Sequence, residues 1–187
     1  MRLFLAINLP QKTKEEIEAS LNDLKKEYPN FIWVPKENFH VTLFFYGETN
    51  SFKKIKEKVS DLIYDIPPFY LYSRNIDLFA GKKIVIYLNF EREKILETLF
   101  TKINHYFSSL YKTNYTNYSQ RKKYIPHLTL ARYKIPSKQQ YFLLKKKLKK
   151  ININISFVVE KIVLFQSIIG GHRPIYRQLA SFPLLKK

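Results

Sequence analysis

Two tetrads, His40-Val41-Thr42-Leu43 and His127-Leu128-Thr129-Leu130, constrain the fold more than any other feature of this chain. Each lies in a run with β-strand character, and side chains along a strand alternate between its two faces. His40 and Thr42 should therefore share one face, as should His127 and Thr129, while Val41, Leu43, Leu128 and Leu130 fill the other. A chain that sets an imidazole beside a hydroxyl, and then repeats the pair, is building one site from two halves.

The segments around the tetrads give the fold class. Arg2 to Asn8 reads as a buried strand, and Thr13-Lys14-Glu15-Glu16 has the form of a capping box. The helix it opens carries Ile17, Leu21, Leu24 and Tyr28 at helical steps and stops at Pro29-Asn30. Short strands follow at Phe31 to Val34 and Phe39 to Tyr46, then a helix from about Ser51 to Tyr64. Phe69 to Phe79 and Ile84 to Phe90 read as a hairpin around Ala80-Gly81-Lys82. A helix near Glu91 to Leu110 shows a continuous stripe of Ile95, Leu96, Leu99, Phe100, Ile103 and Phe107. The second tetrad strand, Pro126 to Tyr133, precedes a basic helix that Ser137 caps and that runs through Lys149. Strands are expected at Ile151 to Ile155, Phe157 to Ile168 and Ile175 to Phe182.

Hairpin signals and this mixed order favour an α+β fold with antiparallel sheets over a doubly wound parallel one. A helix follows each tetrad at a similar offset, at Ser51 and Ser137. That spacing is consistent with an internal duplication into two sheet-and-helix lobes, within one domain spanning residues 1–187.

Charge narrows the partners. The 33 Lys and Arg residues outweigh 15 Asp and Glu, a formal net charge of +18, which suits a polyanion such as RNA. Tyr111, Tyr115, Tyr118 and Tyr124, spaced among Lys112, Arg121, Lys122 and Lys123, read either as a stacking and phosphate-attracting loop or as a solvated one. With no cysteine, disulfides and thiolate metal sites are excluded. The apolar run at Leu3 to Leu9 stops at Pro10 with no cleavage-site pattern, so it reads as a core strand rather than a signal peptide. No apolar run approaches the roughly 20 residues needed to span a bilayer, and a soluble, cytoplasmic, monomeric protein is expected. There is no Gly-x-x-x-x-Gly-Lys loop and no Lys-x-Asp-Gly stretch, so the chemistry should be independent of ATP.

Imidazoles titrate near pH 6.5, so at neutral pH one can hold a proton while another lacks it. Two of them flanking a phosphorus centre suit an in-line displacement, one taking a proton from water and the other giving one to the leaving oxygen. Thr42 and Thr129 would hold the non-bridging oxygens. No metal or other cofactor is needed, and no His-x-x-x-His or carboxylate pair accompanies His40 or His127. Strict alternation turns Arg132 and Phe45 away from this face, although a long guanidinium at a strand end can still reach a phosphate. Phe44 and Tyr46 fall on the His40 face, where they could stack on a base, with core packing the equal alternative. His105 reads as a solvated helix residue and His172 as a turn residue.

The chain resembles the 2H phosphoesterases, and within them the RNA 2′,3′-cyclic phosphodiesterases formerly called 2′-5′ RNA ligases. The resemblance runs nearly end to end: Met1 to Ile7, Trp33-Val34, Glu37 to Leu43 with Phe45 and Gly47, Pro126 to Arg132, and the closing Gly171 and Tyr176. It implies a bilobal fold with two antiparallel sheets facing a cleft and helices outside. It also implies metal-independent opening of a 2′,3′-cyclic phosphate to a 2′-phosphate, with His40 as proton donor to the ribose 3′ oxygen and His127 as the group activating water. By residue type alone the two histidines are interchangeable. RNA end joining, the reverse reaction, and a non-catalytic RNA-binding module are the alternatives. Tyr46 stands where the family often has Leu, and Lys82-Lys83 enriches the middle hairpin in lysine.

Overall fold

The computed structural model describes residues 1–81, 83–111, 124–134, 137–171 and 173–185. Its strands are β1 (Arg2–Asn8), β2 (Ile32–Trp33), β3 (His40–Glu48), β4 (Phe69–Phe79), β5 (Lys83–Phe90), β6 (His127–Lys134), β7 (Ser156–Val159), β8 (Lys161–Ile169) and β9 (Pro174–Pro183). The helices are α1 (Gln11–Ser20), α2 (Asn22–Glu27), α3 (Phe52–Ile63), α4 (Lys94–Leu110) and α5 (Lys138–Leu148), with a 3-10 turn at Lys36–Asn38.

The strands pair antiparallel in the order β7-β4-β5-β6-β3-β1-β8-β9, with β2 alongside β6. The expected two sheets are the two halves of this order, and they meet through a single pair, Val41 opposite Leu128. The halves are interleaved in the chain. After β3, helix α3 leads into β4 and β5 of the other half; after α5 and β7, the chain returns as β8 and β9 beside β1. Neither half is a continuous stretch of sequence.

One core serves both halves. Leu5, Ile7 and Val41 from one, and Ile86, Leu88 and Leu128 from the other, belong to the same buried cluster. The helices close it with the stripes their sequences carry: Ile55, Val59 and Ile63 on α3, and Leu96, Leu99, Ile103 and Phe107 on α4. Each such side chain contributes roughly 1.5–3 kcal/mol on burial. Among the described residues no helix is long and apolar enough to cross a membrane.

Local expectations fare unevenly. Ser137 caps α5 in a full capping box with Gln140, as its sequence suggests. Thr13 does not cap α1: the helix starts earlier, at Gln11 behind Pro10, and Thr13 turns into the buried face. Ile151 to Ile155 is no strand. Its backbone instead meets Ser73, whose Oγ donates to the Ile153 carbonyl and accepts from the Ile155 N–H. The run expected as one strand from Phe157 to Ile168 breaks at Glu160 into β7 and β8, which lie in opposite halves. His105 is exposed on α4. Lys82, His172 and most of the tyrosine-rich basic stretch, residues 112–123, lie outside the described residues.

Candidate active site

The junction of the two halves carries both tetrads. Val41 and Leu128 are directly paired and both buried. Continuing that antiparallel register by one residue each way sets His40 opposite Thr129 and Thr42 opposite His127. All four side chains leave the face opposite the core, and all are half-buried. The result is a square of two imidazoles and two hydroxyls related by a local two-fold axis through the Val41–Leu128 pair.

Beyond this pair the strands part, and each leaves backbone groups that need partners. On the β3 side the Thr42 carbonyl accepts from the Tyr124 hydroxyl at 3.0 Å, and the Leu43 carbonyl from the Asn104 amide at 3.2 Å. On the β6 side Val34 N–H donates to the Leu130 carbonyl, and β2 pairs with Ala131 and Arg132. The divergence opens the sheet at this square.

The same irregularity follows each tetrad. In β3, Ala6 pairs with Thr42 and Leu5 with Phe44, so Leu43 is an extra residue; in β6, Tyr87 pairs with Thr129 and Ile86 with Ala131, so Leu130 is extra. A bulge of this kind shifts every later side chain to the other face. This corrects four sequence-based placements. Phe44 and Tyr46 do not share the His40 face; they are 5% and 3% exposed and pack against Phe107 on the core side. Phe45 takes their place, joining Phe4, Phe165 and Tyr176 around His40. Arg132, expected to face away, is exposed and carries its charge close enough to act on both imidazoles. Phe45 and Arg132 occupy equivalent positions in the two halves, one apolar and one cationic.

Each imidazole is fixed in the same way. His40 Nδ1 lies 2.7 Å from the Asn38 carbonyl and His127 Nδ1 lies 2.8 Å from the Ile125 carbonyl, in each case two residues back. A carbonyl can only accept, so Nδ1 carries hydrogen and Nε2 is the position that gains or loses a proton. Aromatic rings wall both groups. Phe4 at 4.9 Å and the edge of Tyr176 at 5.3 Å flank His40, while Phe79 at 5.2 Å and Tyr87 at 5.4 Å meet His127 edge-on.

This enclosure has an electrostatic consequence. Burial pushes the His40 imidazole from 6.5 down to about 4; its bond to Asn38 opposes the shift, and the charges of His127, Lys14 and Arg132 add to it. His127 is also lowered, by burial first and then by Arg132, against its bond to Ile125. Both shifts favour the neutral imidazole in the free protein, with the stronger depression at His40.

Lys14 is a site neighbour that sequence reasoning missed. It is only 6% exposed, and its Nζ donates to the Glu37 carbonyl at 3.2 Å. Burial lowers its pKa, with Glu37 opposing. Glu37 adjoins Asn38, whose carbonyl holds His40 and whose amide donates to the Pro174 carbonyl at 2.9 Å. The turn that orients His40 is thus held from α1 on one side and β9 on the other. The readable signal was position: Lys14 stands three residues before Ile17 and seven before Leu21, on the apolar stripe of its helix. Among the described residues no three His, Cys, Asp or Glu side chains converge as a metal-ligand group.

Known proteins share this architecture. An RNA 2′,3′-cyclic phosphodiesterase of Methanocaldococcus jannaschii is 31% identical over 179 residues, covering 94% of this chain and 96% of its own. A Thermotoga maritima protein of the same name is 27% identical over 185 residues, covering 96% of this chain and 93% of its own. The crystal structure of a Thermus thermophilus protein has a TM-score of 0.76 at 24% identity over 98% of each chain, a likeness of fold. A family model described as the 2′-5′ RNA ligase superfamily matches residues 13–168. With both tetrads on facing strands of this fold, the chain belongs to that superfamily, the 2H phosphoesterases.

Proposed function

We propose that the protein hydrolyses RNA 2′,3′-cyclic phosphate ends to 2′-phosphates, by acid–base catalysis between His40 and His127 and without a metal ion. The single observation that carries this reading is the symmetric square: two imidazoles, each locked through Nδ1 with Nε2 left to exchange protons. Two relatives named RNA 2′,3′-cyclic phosphodiesterase align over more than nine-tenths of the chain, which supports the substrate class.

The step balances with water as its one co-reactant. Water attacks phosphorus while His127 Nε2 takes its proton, the P–O3′ bond breaks, and His40 Nε2–H protonates the departing O3′. Thr42 and Thr129 donate hydroxyl hydrogens to the non-bridging oxygens, and Arg132 balances their charge. Afterwards His127 carries the proton that His40 lost, and exchange with solvent restores the starting state. Assignment of His40 as the acid comes from the family resemblance; in the free protein its lowered pKa favours the neutral form. The bound phosphodiester supplies the negative charge that favours imidazolium.

The pH dependence tests this reading. The reactive form needs one protonated and one neutral Nε2, so its population peaks between two lowered values. The kcat/KM profile, which reports the free enzyme, should peak below pH 6.5 and fall as pH rises through neutrality. The kcat profile should peak at higher pH, because bound phosphate raises both imidazoles. Identical profiles with optima above pH 7 would contradict the proposal.

Lys14 enters the same experiment. In Lys14→Met the turn loses its clamp and His40 loses a depressing charge. Loss of a charge-assisted hydrogen bond should lower kcat/KM roughly tenfold, and the profile should move to higher pH. A loss of rate with no movement of the profile would leave Lys14 a purely structural part.

A further inference from the structure

The face that holds His127 does not end at β6. His127 pairs with Asn89 on β5. On β4, Ser73 pairs with Phe90 and Ile76 with Leu88, so Arg74 and Asn75 share the place opposite Asn89 in a bulge. Both are exposed. Further along β4, Leu71 and Phe69 turn into the core, at 0% and 5% exposure, and Tyr72 and Tyr70 turn the opposite way, at 40% and 54%. The two tyrosine rings lie 5.9 Å apart and 23° from parallel. One sheet face thus runs from the catalytic imidazole through Asn89 and Arg74 to a pair of stacked, solvent-facing rings. Two strand spacings, about 10 Å, separate β6 from β4.

We propose that Arg74, Tyr72 and Tyr70 form a track for the single-stranded RNA that leads to the reacting end. The enzyme is thereby directed to RNA chains in preference to free cyclic mononucleotides. This rests on the function proposed above and extends it to the substrate beyond its terminal nucleotide. Strand propensity accounts for one exposed tyrosine. It does not account for two parallel rings in line with a guanidinium and the catalytic histidine on one face. Aromatic faces stack on any base, and an adjacent cation meets the phosphates between bases. Arg74 makes no ion pair among the described residues, so its charge is available to a ligand. The Glu91 N–H donates to the Tyr72 carbonyl and so fixes the backbone beneath that ring. The net charge of +18 and continuity with the phosphate-binding square favour nucleic acid over a protein occupant.

The test compares cytidine 2′,3′-cyclic phosphate with a five-nucleotide RNA ending in a 2′,3′-cyclic phosphate. Wild type should show a kcat/KM for the pentamer at least ~10-fold above that for the mononucleotide, since stacking on each ring is worth about that factor. Tyr70→Thr with Tyr72→Thr, which keeps strand propensity and removes both rings, should erase the advantage and leave the mononucleotide rate unchanged. Tyr70→Phe with Tyr72→Phe should preserve it. Absence of a length effect in wild type would overturn the track, as would a threonine variant that lowers both substrates alike or neither. Fluorescence anisotropy with a pentamer lacking the cyclic phosphate separates the two proposals. Failure of wild type to turn over either substrate sinks the hydrolase reading. Weakened pentamer binding in the threonine variant still supports the track, and unchanged binding removes it.

Discussion

His40→Ala and His127→Ala should each lower kcat on a cyclic-phosphate RNA by about 10³–10⁴, toward the upper end of what a positioned acid or base contributes. RNA binding should change little in either, because the hydroxyls of Thr42 and Thr129 and the charge of Arg132 remain on the same face. The double variant should be little worse than either single one, since an acid without its base catalyses almost nothing. Equal losses also follow from the geometry: each imidazole is walled by aromatic rings and held at Nδ1 by the carbonyl two residues back. Steady-state rates with active-site titration decide the matter. Turnover at wild-type level in either variant would remove that histidine from the mechanism.

The largest expected effect on stability lies behind the site. Phe107 on α4 is 2% exposed, with its ring centroid 4.9 Å from that of Tyr46 and 5.7 Å from that of Phe44. It packs against the two aromatic residues that the β3 bulge turns into the core. Phe107→Ala should lower unfolding free energy by roughly 3–5 kcal/mol, the loss of transfer energy together with a cavity that strand pairing prevents from closing. Denaturant unfolding gives the value directly. A change below about 1 kcal/mol would mean that the bulged strand repacks freely, and the bulge would then have no anchor. The Tyr46 hydroxyl has no hydrogen-bond partner among the described residues, and burial holds its pKa well above the usual phenol value. Its ring, rather than its hydroxyl, is what the core uses.

Much of this architecture is written in local pattern. The stripe of α4, the Ser137 cap and the two tetrads are periodicities or spacings of a few residues, so a linear reading recovers them. His40, Thr42, His127 and Thr129 share the expected face because the alternation that places them runs over only three residues. It fails immediately afterwards. Neither Leu43 nor Leu130 differs from an ordinary strand residue, and the bulge at each exists only in the pairing with β1 or β5. The facing of Phe44, Phe45, Tyr46 and Arg132 was therefore beyond a strict two-residue period. Gly47, at φ +72°, marks where β3 departs from regular backbone, but it lies after the residues that were misplaced. The break at Glu160 was hidden for a related reason. A continuous β-rich run gives no hint that its two ends belong to different halves of the sheet.

A metal-independent hydrolysis carried by two histidines leaves a defined RNA terminus. An oligoribonucleotide ending in a 2′,3′-cyclic phosphate is incubated with the protein in excess chelator and without ATP, and the new terminus is identified. Complete conversion to a 2′-phosphate is expected. No conversion until a divalent cation is added, or a 3′-phosphate product, would contradict it.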